Sequence, residues 1–184
     1  LMADQYDVII IGAGPGGYTA AARAAGFGMN VALIEKGELG GACVNTGCVP
    51  AKAMLQASAV YGDLKHASRF GISVKKMQAY KDESVEEYRS MIRSLLNRRN
   101  VKLIHGTAKL HKDNIVEVEG EEGSSLCVGK NIILATGAEP VIPDIPGVDL
   151  PQVLTSRDIL SAGEWHFDRL VIIGGGVIGI EVAT

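Results

Sequence analysis

The chain has 184 residues, 47% apolar and 21% charged, with aromatic residues at only 5% and a formal net charge of -3. That length supports a substantial core with room for more than one domain, and a composition rich in Ala, Val, Ile and Gly excludes a disordered chain. The mildly acidic balance offers no basic stripe for nucleic acid, and Arg98-Arg99 reads as a helix terminus, not as a phosphate footprint.

Taken in chain order, Tyr6 to Ile11 is a short, β-branched, nearly continuous apolar run, as expected of a central parallel strand covered on both faces. It is far shorter than the roughly 20 residues a bilayer span requires and no leader pattern precedes it, so the expectation is a cytoplasmic protein with no membrane. Leu1, ahead of Met2, reads as foreign to the natural chain. Pro15 suits the first position of a helix, residues 20–25 favour helix, and Gly26 or Gly28 supplies a left-handed stop before a second strand, Val31 to Ile34. A second helix is expected from about Val49 into the sixties. A third is announced by Ser84 and Glu87 as the two ends of a capping box, with Val85, Tyr88, Ile92 and Leu95 on one face. From Val101 to Val128, short strands separated by turns at Asp113-Asn114 and Gly120 to Ser125 read as a small antiparallel meander, and Asn131 to Ala135 as a buried strand. Pro140, Pro143, Pro146 and Pro151 mark the connection out of the first domain, and Leu170 to Ile173 opens a new core strand. The organisation expected is α/β, with a first domain over residues 1–150 and, over 151–184, a connection and the first strand and helix of a second.

Two glycine clusters sit at strand-to-helix turns. Gly12-Ala13-Gly14-Pro15-Gly16-Gly17 follows the first strand, and Glu35 ends the next strand, where a ribose-binding acid belongs. Glycine lets the backbone turn tightly and lets a pyrophosphate approach the helix N-terminus, whose N–H groups and dipole hold negative charge. Any tight turn can use glycine; the flanking strand, helix and acid favour a dinucleotide site. Gly174-Gly175-Gly176-Val177-Ile178-Gly179 repeats the pattern, so a second dinucleotide site is expected to begin there. Neither cluster by itself separates flavin from nicotinamide.

The segment Gly40-Gly41-Ala42-Cys43-Val44-Asn45-Thr46-Gly47-Cys48-Val49-Pro50-Ala51-Lys52 couples two thiols to a glycine-rich loop and a helix start. Cysteines five apart on a regular helix lie beyond the Cα spacing of about 4.4–6.8 Å that a disulfide requires, so the chain must bend between them, which Gly47 permits. Pro50 then suits a first helical turn and puts Cys48 near a helix N-terminus, where the dipole favours the thiolate, with Lys52 adding positive charge. The odd cysteine count argues against a secreted disulfide framework and suits a reducing compartment with a catalytic pair; Cys127 reads as a small core residue. A zinc site needs further ligands, and His66, His105, His111 and His166 show no paired spacing with each other or with the cysteines, so no metal is expected.

The stretch from Gly40 to Lys52 resembles the active-site signature of the pyridine nucleotide-disulphide oxidoreductases, a family that includes dihydrolipoamide dehydrogenase, glutathione reductase and mercuric reductase. Four further segments are similar in order and spacing: the Gly12 cluster, Gly106-Thr107-Ala108, Ala135-Thr136-Gly137, and Gly174 through Glu181. The resemblance covers nearly the whole chain and is strongest to the dihydrolipoamide dehydrogenase type. It implies a Rossmann-like FAD-binding fold, a parallel sheet with a small antiparallel meander, followed by the start of a second Rossmann-like domain for NAD or NADP. It implies FAD contacts from Gly12, Gly14, Pro15, Gly16 and Gly17, from Glu35 and Lys36, from Gly41 and Ala42, and from Ala108, Ala135, Thr136 and Gly137. Gly174, Gly176 and Gly179 would serve the nicotinamide dinucleotide. In the family's roles Cys43 is the interchange thiol that meets substrate, Cys48 the thiol facing the flavin, and Lys52 lies near the flavin and pairs with Glu181. If that pair is largely desolvated, loss of one partner costs several kcal/mol.

The resemblance also implies a small dithiol or disulfide, or a lipoyl-protein, as substrate, a homodimer, and membership of a 2-oxoacid dehydrogenase complex. Glutathione or mercuric reduction runs electrons the other way through a similar front half and is the alternative. Ala42 stands where many members carry Thr, removing a hydroxyl contact to FAD, and Ala51 replaces a common Ser or Thr. No His is followed five residues later by Glu, the family's C-terminal couple, and Tyr61-Gly62-Asp63 falls inside a helix and is no flavin motif. Without the family's second FAD segment, these 184 residues are expected to fold around the first βαβ unit, to bind FAD weakly or not at all, and to hold no ordered dinucleotide at Gly174 to Gly179.

Overall fold

The apolar run near the N-terminus forms β1 (Asp4–Ile11), in which Ile9 and Ile10 are wholly buried, and the chain turns at Gly12 into α1 (Pro15–Gly26). The computed structural model describes residues 4–65, 74–121, 123–161 and 168–184; Leu1, Met2, His66 and His166 lie outside them. The chain divides into two compact units, one of residues 1–43 with 88–138 and one of residues 44–87 with 139–184.

In the first unit, α1 closes in a Schellman motif. Gly28 at φ +82° donates its N–H to Ala25 O at 2.9 Å, and Met29 donates to Ala24 O at 3.4 Å, so the left-handed stop is Gly28, while Gly26 is still helical. The chain continues into β2 (Val31–Glu35) and a single turn of helix, α2 (Gly41–Asn45), that local spacing did not announce. The remaining strands are β3 (Lys102–His105), β4 (Thr107–Leu110), β5 (Ile115–Gly120) and β6 (Gly123–Leu134), in the order β3-β2-β1-β6-β5-β4. β1 pairs parallel with both β2 and β6, while β4, β5 and β6 form the antiparallel part. Tyr6, Ile9, Ala32, Ile34, Val116, Val118 and Cys127 make one buried cluster across both parts. Each fully buried Val or Ile there contributes roughly 1.5–3 kcal/mol relative to an exposed one.

Two expectations for this unit change. Lys102 to His105 leaves the meander and pairs parallel with β2, Leu103 opposite Leu33, because an apolar-polar alternation does not specify which neighbour supplies the hydrogen bonds. Asn131 to Ala135 continues β6 and is not buried: its ladder with β1 puts Ile11 opposite Leu134, yet Ile133 and Leu134 keep 41% and 64% of their surface exposed.

The helix expected at Ser84 begins ten residues earlier, as α4 (Val74–Arg98), a 25-residue helix that contributes to both units. Ser84 is no cap. Its hydroxyl donates back to Tyr80 O at 2.8 Å, the bond a serine makes in a helix interior, and the helix-favouring residues Lys75, Lys76, Met77, Gln78 and Ala79 let the helix run on upstream. The buried positions are Lys81, Val85, Ile92 and Leu96; Leu95 is half-buried and Tyr88 exposed, so the apolar face is turned by about one residue from the one expected.

The second unit also holds α3 (Cys48–Lys65), α5 (Ser156–Ser161) and α6 (Val177–Ala183). α5 has the capping box wrongly assigned to Ser84: Thr155 N–H donates to Asp158 Oδ2 at 2.7 Å and Asp158 N–H to Thr155 Oγ1 at 3.3 Å. The proline-punctuated stretch carries no helix or strand. Leu170 to Ile173 is not a strand either, and Val171 and Ile173 are 87% and 77% exposed. A parallel strand draws its hydrogen bonds wholly from neighbours, and none among the described residues pairs with this segment.

Candidate nucleotide and thiol site

In the first unit β2 and β6 lie on opposite sides of β1, so the C-terminal end of β1 is a topological switch point, where open α/β sheets bind ligands. There Gly12 and Gly17 are required by contact. A Cβ at Gly12, which has φ +101°, would stand 2.2 Å from Ala135 O, and one at Gly17 would stand 1.7 Å from Gly12 O. Gly14 caps α1 in an extended conformation with no side-chain cap and Pro15 follows, so the first-turn N–H groups of α1 meet no acidic side chain of their own. Gly16 has no atom within 4 Å of where its Cβ would be. Side-chain-free approach and uncapped donors fit the pyrophosphate of a dinucleotide such as FAD.

Glu35 ends β2, and its carboxylate grips the main chain on both sides: Oε2 accepts from Ala13 N–H at 2.6 Å and Oε1 from Gly37 N–H at 2.9 Å. An ionised carboxylate has about four acceptor positions, so two remain for ribose hydroxyls. The grip on the loop was not legible from spacing. Lys36 beside it is exposed. Gly106 donates to Glu35 O at 2.9 Å, and Ala108 packs its side chain against the core cluster. Ala135 N–H donates to Ile11 O at 2.8 Å, with Thr136 exposed and Gly137 left-handed at φ +76°.

α2 sits directly on the glycine loop. Gly40 N–H donates to Ala13 O at 2.9 Å, and Gly41, at φ +57°, approaches so closely that its Cβ would lie 2.6 Å from Gly14 Cα. Ala42 is exposed and Cys43 half-buried. Helix α2 ends at Asn45 and α3 begins at Cys48, so the bend between the thiols falls at Thr46-Gly47. The left-handed glycines are Gly40 and Gly41, ahead of the first cysteine, not Gly47.

In the second unit Cys48 is the exposed first residue of α3, and buried Pro50 lies in its first turn, where a missing N–H costs nothing. One turn on, Lys52 Nζ donates to Glu181 Oε1 at 2.6 Å. The Lys52 side chain is 60% exposed and that of Glu181 20%, so the carboxylate is mostly covered but its partner charge stands in solvent, and the cost of several kcal/mol expected of a wholly desolvated pair does not apply. The second glycine cluster copies the first. Gly174 and Gly12 have φ +110° and +101°, Gly176 and Gly14 cap their helices at nearly the same angles, and a Cβ at Gly179 would meet Gly174 O at 2.2 Å.

Cys127 is buried in the core cluster, and burial pushes its thiol pKa up. The described residues hold no group of three or more His, Cys, Asp or Glu placed to ligate a metal. None of the described helices is long and apolar enough to cross a membrane.

Residues 6–184 match the family described as pyridine nucleotide-disulphide oxidoreductase. The chain belongs to this family. It is 38% identical to dihydrolipoyl dehydrogenase of Acholeplasma laidlawii, with all of this chain and 56% of that protein covered. It is likewise 38% identical to dihydrolipoyl dehydrogenase of Bacillus subtilis (strain 168), covering 95% of this chain and 40% of that protein. Among solved structures, the Cu(II) complex of the HOCl-induced flavoprotein disulfide reductase RclA from Escherichia coli superposes with a TM-score of 0.76 at 31% identity, over 98% of this chain and 39% of that one. The mixed sheet, with a parallel part and an antiparallel part, is accordingly the Rossmann-like FAD-binding fold expected of a pyridine nucleotide-disulphide oxidoreductase. The chain spans about half or less of the length of these relatives.

Proposed function

We propose that the chain is the FAD-binding and thiol-bearing front part of a dihydrolipoyl dehydrogenase, moving two electrons between a dithiol substrate and NAD or NADP. One observation carries the reading. Cys43 stands on a helical turn fastened to the Gly12–Gly17 loop, and five residues on Cys48 opens α3, in the segment Gly40 to Lys52 that the family shares. The names of the relatives favour dihydrolipoyl dehydrogenase over the glutathione and mercuric reductases. On this reading residues 1–150 belong to the FAD domain and 151–184 lead into the nicotinamide domain.

The chain's own chemistry is thiol–disulfide exchange. A substrate thiolate attacks Sγ of Cys43 in a Cys43–Cys48 disulfide, the S–S bond breaks, and its electron pair leaves with Cys48. The second substrate thiol attacks the substrate sulfur of the mixed disulfide and releases Cys43. The substrate departs as a disulfide, and two electrons and two protons have passed to the cysteine pair. FAD, when bound, supplies the two-electron exchange between a dithiol and a nicotinamide. The α1 N-terminus and Gly12 to Gly17 would hold its pyrophosphate and Glu35 its ribose, while Lys52, tied to Glu181, would set a positive charge near Cys48. Gly174, Gly176 and Gly179 would receive the nicotinamide dinucleotide. A lipoyl group on a protein, within a 2-oxoacid dehydrogenase complex, is the substrate these names support, with a cytoplasmic homodimer as the working form.

Replacing Cys43 or Cys48 by Ser in the protein that carries this chain should abolish dihydrolipoamide-dependent NADH formation, followed at the nicotinamide absorbance. Substantial turnover in either variant would refute the assignment.

A further inference from the structure

We infer that Glu35 is a positioning residue for Cys43, acting through the main chain of the glycine loop. Ala13 is wholly buried, and its backbone is held from both ends: its N–H donates to Glu35 Oε2 at 2.6 Å and its C=O accepts from Gly40 N–H at 2.9 Å. The other carboxylate oxygen takes Gly37 N–H at 2.9 Å. Residues 37–40 are therefore held to the rest of the unit at Gly37 by Glu35 directly and at Gly40 through Ala13, with Glu38 also within 3.8 Å of Arg89. Hydrogen bonds from amide N–H groups to a carboxylate are charge-assisted and stronger than neutral ones.

The pinned segment leads straight to the thiol. Gly41, the next residue, rests against Gly14 so closely that a Cβ on Gly41 would lie 2.6 Å from Gly14 Cα. Cys43 follows two residues later in the same helical turn, so a shift of residues 37–41 carries it along. A side chain selected by spacing for a ribose thus has a second task, since the carboxylate that faces the nucleotide also fixes the backbone that presents Cys43. Two of its roughly four acceptor positions meet Ala13 and Gly37, so ribose contact and backbone grip are compatible. This deepens the proposed function and rests on it for the role of Cys43.

The test uses the 184-residue chain without nucleotide. Iodoacetamide alkylation of Cys43, Cys48 and Cys127 is followed by peptide mass spectrometry across a pH series, in wild type, Glu35→Ala, Glu35→Gln and Gly41→Ala. Loss of a charge-assisted bond corresponds to about tenfold or more in a local opening equilibrium, so Cys43 should react about tenfold faster in Glu35→Ala, with an altered pH profile. Cys48 should keep its wild-type rate and buried Cys127 should stay protected. Glu35→Gln keeps one acceptor oxygen, enough for Ala13 N–H or Gly37 N–H but not for both, and its Cys43 should react at a rate between wild type and Glu35→Ala. Gly41→Ala, which leaves the carboxylate intact but pushes its backbone from Gly14, should also alter Cys43 alone; if Glu35→Ala does not fold, Glu35→Asp, which keeps the charge but is one methylene too short to reach both Ala13 N–H and Gly37 N–H, takes its place with the same expected rise at Cys43. The inference is overturned if Cys43 keeps its wild-type rate and profile in the folded variants, if Cys43 and Cys127 rise together, or if Glu35→Gln behaves as Glu35→Ala. Neither flavin nor turnover enters the assay, so its failure is distinguishable from failure of the proposed function, which the Cys→Ser activities read.

Discussion

Two adjacent glycines at the start of α1 should respond in opposite directions to the same substitution. In Gly17→Ala the added Cβ would stand 1.7 Å from Gly12 O and 2.9 Å from Gly12 C, both main-chain atoms that no rotamer change can move. Relief requires α1 to lift from the end of β1, and overpacking of this kind costs about 1–3 kcal/mol, here at the upper end because the obstacle is backbone. In Gly16→Ala nothing lies within 4 Å of the new methyl and no left-handed φ has to be held. Fewer unfolded conformations then stabilise the variant by about 0.4–1 kcal/mol. At roughly 2–4 °C per kcal/mol for a chain of this size, Tm should fall by roughly 6–12 °C in Gly17→Ala and rise by roughly 1–4 °C in Gly16→Ala. Far-UV circular dichroism melts give the shifts, and hydrogen exchange of the peptide covering Val8 to Ile11 assigns them to the first unit. A Gly17→Ala variant as stable as wild type, or a Gly16→Ala variant that falls as far, would refute the contact argument.

Glu181→Gln should lower Tm by no more than roughly 2–4 °C, and by less in high salt, since a pair with Lys52 largely in solvent contributes about 0–1 kcal/mol; a loss well beyond that would mean the pair is desolvated in solution. Asp7 is held below its ordinary carboxyl value of 3.8 by the hydrogen bond from Lys130 and then by that from Asn30 N–H. A depressed folded value adds stability that is present above the ordinary value and lost as pH falls through the folded one. The drop in Tm between about pH 6 and about pH 3 should therefore be smaller in Asp7→Asn than in wild type, and an equal drop would show that Asp7 is not a source of the acid sensitivity.

Features that a few neighbouring residues decide were legible without a fold. The Gly12 to Gly17 turn, Pro15 at the head of α1 and Pro50 in the first turn of α3 all follow from local sterics and orphan N–H groups, and all stand where spacing put them. The Gly174 cluster makes the point most sharply, because it takes up the turn of the Gly12 cluster although no strand leads into it. Glycine backbone and a helix start are enough to form it. The candidate site residues were selected on the same ground, since redox and phosphate chemistry demand particular residue types at short spacing.

What the tertiary structure alone decided are matters of partnership. Leu170 to Ile173 has the composition of a core strand, but a strand needs a neighbour, and among the described residues it has none. Lys102 to His105 could pair in a meander or beside β2, and only the assembled sheet selects β2. Ser84-x-x-Glu87 reads as a capping box, but upstream residues able to continue a helix cancel it, and the reciprocal cap is found instead at Thr155-x-x-Asp158. Glu35 lies 22 positions from Ala13, and its grip on that buried N–H exists because β1 and β2 end side by side. Local chemistry determined the turns and caps of this protein, while hydrogen bonds between residues distant in sequence, which no spacing encodes, decided which strands pair and how Glu35 and Gly40 hold the main chain of Ala13.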